Sequence, residues 1–164
     1  MKTSTQHAPH GGTADWKSAQ MVRFRTLADS LRTMIAAIET KHDEIASLRK
    51  AVCESARAAA RRQPQMTDVA ELIETTFVLT SPCHLGTARC VAADMQRVLE
   101  RAIACLRELP DAEAASGPPG KTLGTTMEEL LGNVGKTGHS LSQLLANAER
   151  EIQTLQAAFI EFSV

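Results

Sequence analysis

The sequence predicts an all-α protein: an elongated helical bundle or coiled coil, with one long N-terminal helix packed against shorter ones. Three observations lead there. Apolar residues recur at heptad spacing from residue 14 onward. Alanine occurs 25 times and leucine 16 times, whereas aromatic residues reach only 3%, a bias that suits close-packed helices more than sheets. No Gly or Pro falls between Gly12 and Pro64, so nothing obliges the first helix to break.

That first helix is expected over 15–62, with Asp15 as N-cap and Thr13 competing for the role. A heptad frame places Phe24, Leu31, Ile38, Ile45, Val52 and Ala59 at a, and Leu27, Met34, Lys41, Leu48 and Ser55 at d. Lys41 is the one charged residue in this seam, so a carboxylate partner is expected for it, or a stem that packs while its ammonium reaches water. At 1.5 Å per residue the helix would be about 72 Å long, a rod rather than an ordinary globular helix. Pro64 stops it.

A shorter helix follows over 67–80, opened by Asp68-x-x-Glu71 as a capping box and carrying Val69, Leu72, Ile73 and Phe77 on one face. Ser81-Pro82 then signals a fresh start. The helix over 82–109 has Leu85, Ala92, Leu99 and Leu106 at a, with Ala88, Met95, Ala102 and Leu109 at d. Residues 110–121 read as a Pro/Gly linker. Beyond it, Thr125-x-x-Glu128 and Ser140-x-x-Gln143 are capping-box spacings, which predict two helices, 126–134 and 140–163. Gly132, Gly135 and Gly138 would end or hinge the first of them. The chain thus divides into a flexible tail over 1–13, a helical region over 14–109, the linker over 110–121 and a hairpin-like segment over 122–164.

At 164 residues the chain favours one domain or one elongated subunit. Its formal net charge of −1 hides an asymmetry: residues 1–62 carry 11 Lys/Arg against six Asp/Glu, and the remainder is acidic. A basic helix lying beside acidic ones explains this without nucleic acid, for which the aromatic stacking residues are also scarce. Cys53, Cys83, Cys90 and Cys105 lack the paired spacing of zinc or redox sites. They read as reduced thiols, which points to the cytoplasm, with cytoskeletal or nuclear assembly as further settings. No metal and no cofactor are expected. No run of residues approaches the length of a membrane-spanning helix.

One motif tempts. Ala115 to Thr122 satisfies a permissive phosphate-loop pattern, but no apolar strand precedes it, and Pro118 and Pro119 remove two of the N–H donors a phosphate needs. The sequence offers no catalytic constellation, and no small-molecule substrate is expected. The functional expectation is a non-catalytic structural or adaptor subunit that assembles through amphipathic helices with other helical subunits or with itself. Its interface would comprise Phe24, Leu27, Leu31, Met34, Ile38, Lys41, Ile45, Leu48, Val52, Leu145, Ile152, Leu155 and Phe159. The alternative is a compact helical chaperone or secretion-type effector that holds a client peptide in a groove.

Overall fold

The computed structural model describes residues 15–80, 83–110 and 120–164. The fold is all-α. Helix α1 spans Trp16–Arg62, α2 spans Thr67–Leu79, α3 spans Cys83–Glu108 and α4 spans Lys121–Ser163, with a short 3₁₀ turn over Pro64–Met66.

Asp15 caps α1 as its sequence position suggests, its carboxylate accepting from the Lys17 amide at 3.3 Å. The 47 residues of α1 make a rod about 70 Å long. Arg61 and Arg62 occupy its last turn, where cations suit the helix dipole. Gln63 leaves the helix in an extended conformation, and Pro64 begins the turn.

Contacts between residues far apart in sequence fix the direction of each neighbour. Glu74 pairs with Arg57, and Arg49 reaches the carbonyls of Phe77 and Thr80, so α2 runs back down the upper end of α1. Arg89 lies 3.6 Å from Glu39, and Lys17 donates to the Leu109 carbonyl at 2.6 Å, so α3 continues the same descent. Together α2 and α3 form one broken arm antiparallel to α1. The Ser81-Pro82 signal falls at the break and lies outside the described residues, as do the 1–13 tail and residues 111–119 of the linker.

Helix α4 runs parallel to α1 along nearly its whole length. Its residues Glu128, Glu149 and Phe162 meet Arg23, Lys41 and Arg62 in turn. At 43 residues it is about 64 Å long. The hairpin-like segment expected over 122–164, with separate helices at 126–134 and 140–163, is therefore a single helix. Neither expected capping box forms there: Thr125 and Ser140 are interior, their hydroxyls donating to the carbonyls of Lys121 and Lys136 one turn back. Gly132, Gly135 and Gly138 stay helical, since Leu131, Val134 and Leu141 bury their side chains on either side of them. Burial against α1 overrides weak local propensity.

The core is a single cluster along the bundle axis. Phe24, Leu31, Ile38, Ile45 and Val52 form its α1 line. Ala92, Leu99 and Leu106 of α3 and Val134, Leu141, Ile152 and Leu155 of α4 close over that line from two sides. A bundle three helices wide results. Helix α4, running nearly the full length of α1, covers one side of the α1 line from end to end.

Candidate interaction surfaces

The expected interface residues fall almost entirely inside the chain's own core. Phe24, Leu31, Ile38, Ile45, Val52, Ile152 and Leu155 are buried. Leu27, Met34, Leu48 and Leu145 are half-buried and pack on the same cluster. Lys41 stands at the rim of the α1–α4 seam, half-buried and paired with Glu149. The hydrogen bond to Glu149, against an opposing desolvation, raises the ammonium above its ordinary pKa. Phe159 alone is exposed, at 39%.

The residue that composition and spacing did not single out is Arg49. It sits at e, beside the seam, and its side chain is only 12% exposed. Its guanidinium pairs with Glu151 of α4 and donates to the Phe77 and Thr80 carbonyls at the end of α2, where helix carbonyls need outside donors. The guanidinium carbon also lies 5.2 Å from the centre of the Phe77 ring. Arg49 thus ties α1, α2 and α4 together where the descending arm breaks. The available signal was an Arg at e level with a helix end, which only the tertiary register makes legible.

Helix α2 divides unlike its sequence reading. Ala70 is buried, and Ile73 and Phe77 are half-buried against α1, while Val69 and Leu72 turn outward. Asp68-x-x-Glu71 caps nothing: Met66 precedes the helix, and no side chain bonds to its first amides. Leu72 and Leu79, seven residues apart on one face, are 66% and 78% exposed. Asp68 and Glu71 are exposed, Glu74 is held by Arg57, and α2 contains no Lys or Arg. Its outer surface therefore presents Leu72 and Leu79 among exposed threonines, with Asp68 and Glu71 as acidic neighbours. Cys53 of α1 lies near this helix, and burial together with the Glu74 charge pushes its thiol pKa up.

Just below α2, α1 and the start of α3 line a cleft of about 380 Å³, formed by Ile38, Glu39, His42, Asp43, Leu85, Gly86 and Arg89. Among the described residues, no group of three or more His, Cys, Asp or Glu side chains is placed to hold a metal ion. None of the helices is long and apolar enough to cross a membrane. Of the phosphate-loop lookalike, Gly120 precedes α4 with φ +114°, and Lys121 is its exposed first residue. Thr122 is an exposed residue of the same helical turn, its carbonyl accepting from the Thr126 hydroxyl, and Ala115 to Pro119 lie outside the described residues. The chain matches no known protein family, no curated protein and no solved structure.

Proposed function

We propose that the protein is a non-catalytic adaptor or structural subunit that docks another protein through the outer face of α2. The observation that carries this reading is the exposure of Leu72 and Leu79 on one face, beside Val69 and a carboxylate flank. Large apolar side chains grouped on a helix whose inner face is already packed mark a surface that gains from being covered.

The occupant that fits is an amphipathic helix with Lys or Arg beside its apolar stripe. Its cations would meet Asp68 and Glu71, steering encounter and fixing register, while Leu72 and Leu79 supply the apolar contact. A second copy of α2 fits less well, because two acidic helices face to face set like charges together.

The seam residues take a different role. Phe24, Ile38 and Val52 hold the chain's own helices together, so the expected assembly through α1 becomes folding.

A photo-crosslinking residue at Leu72, with another at exposed Val98 on α3 as the control, tests the reading in extract from the native source. The expected result is a discrete heterologous product from 72 only, lost in Leu79→Asp while the thermal melt is retained. A product only of doubled chain mass would show self-association. Equal labelling from both positions would remove the adaptor reading.

A further inference from the structure

We propose that the first part of α4, residues 121–131, is a hinged arm that swings off α1 about the glycines at 132, 135 and 138. Three glycines within seven helical residues weaken a helix, each by about fivefold in helical population relative to Ala. Glycine is ordinarily kept in such places for a positive φ or for close approach of another chain segment. Among the described residues, only Gly120 has a positive φ. At Gly138 an added Cβ would lie 4.0 Å from Met34 Cε across the α1–α4 seam, an ordinary van der Waals contact. A Cβ on Gly132 or Gly135 would meet nothing within 4 Å, and both positions are exposed. These two glycines loosen the helix without serving a contact.

The two sides of the glycine segment are held unequally. Towards the C-terminus, Leu141, Ala148, Ile152 and Leu155 are buried, and Lys41 and Arg49 add ion pairs to Glu149 and Glu151. Towards the N-terminus, Met127 and Leu131 are the buried anchors, Leu123 and Leu130 are only half-buried, and the Arg23–Glu128 pair is about half exposed. No side chain caps the arm's first turn. The weak stretch thus separates a lightly held end from a firmly held one, the arrangement from which local opening arises. Swinging the arm away uncovers the lower end of α1, where Gln20 and Phe24 are buried beside Arg23. The fold thereby carries a gate at the end opposite to α2.

Hydrogen exchange of the whole chain tests the hinge. Amides of 127–131 are expected to be at least about tenfold less protected than those of 148–155, through an opening insensitive to low urea. Gly132→Ala with Gly135→Ala should raise protection of the arm roughly 20-fold, because both methyl groups fit and both stabilise the closed helix. Gly86→Ala, where a Cβ also meets nothing, should leave the arm's exchange unchanged, since α3 stays folded in the opened state. Equal protection of arm and core would overturn the proposal. So would an arm that ignores the double substitution, or one that responds equally to Gly86→Ala.

Discussion

Arg49 of α1 and Glu151 of α4 are bonded across the bundle at the level where α2 ends, with Arg49 Nε 3.0 Å from Glu151 Oε1. The same guanidinium satisfies carbonyls at the end of α2, so one side chain closes three helix surfaces. Arg49→Met keeps much of the apolar stem and removes every one of these bonds. It should destabilise the fold by about 2–3 kcal/mol, as expected when partly buried charge-assisted bonds are lost and their partners are left behind. Glu151→Gln, which preserves an acceptor, should cost less. Urea melts of the two variants check the order, and hydrogen exchange should show the Arg49→Met loss largest in α2.

The axial line of the core gives the largest expected effect. Leu99 of α3 is fully buried against the α1 seam. Leu99→Ala should lower stability by about 2–5 kcal/mol through lost burial and the cavity left behind. Circular dichroism melts measure it, and a loss comparable to that of a surface substitution would mean that α3 is not seated as described.

Lys41 offers the contrast. Its ammonium pairs with Glu149 at the rim, so it specifies little that a leucine could not replace there. Lys41→Leu should move the melting midpoint by only a small fraction of the Leu99→Ala shift. A loss as large as that of Leu99→Ala would place Lys41 at the centre of the seam, where its heptad position alone would put it.

Acid should act on the lower end of α4. The hydrogen bond from Arg23 holds the Glu128 carboxyl below its ordinary pKa, against an opposing desolvation. A carboxyl depressed in the folded state stabilises the fold above its unfolded pKa of about 4.3 and loses that contribution as pH falls through the lowered folded value. Both partners are about half exposed, so the contribution is small at neutral pH. Urea midpoints between neutral pH and pH 2 should therefore fall more gently in Glu128→Gln than in the native chain.

Much of this architecture is legible in residue spacing. The α1 heptads, the Asp15 cap and the Pro64 stop are each local, and each holds because chain chemistry and tertiary packing agree. The glycine segment was not legible, because Leu131, Val134 and Leu141 outweigh the weak propensity of Gly132 and Gly135 only once α1 lies beneath them. The same continuity of α4 decides which apolar face is left bare. With two short helices, the Phe24–Val52 stripe would need another chain to cover it, whereas with one long helix α4 covers it and the exposed apolar face passes to α2. Spacing grouped Leu72 with Phe77, because a short amphipathic run does not say which edge of its apolar stripe meets the neighbour.

The central claim is that one chain covers its own α1 seam. Urea unfolding of the native chain, followed by helical circular dichroism across about a hundredfold range of protein concentration, tests it most directly, because a core shared between chains makes stability depend on concentration. The structure predicts one cooperative transition whose midpoint does not move with concentration. A midpoint that climbs steadily as the chain is concentrated would contradict it and would return Phe24, Ile38 and Val52 to an interface between molecules.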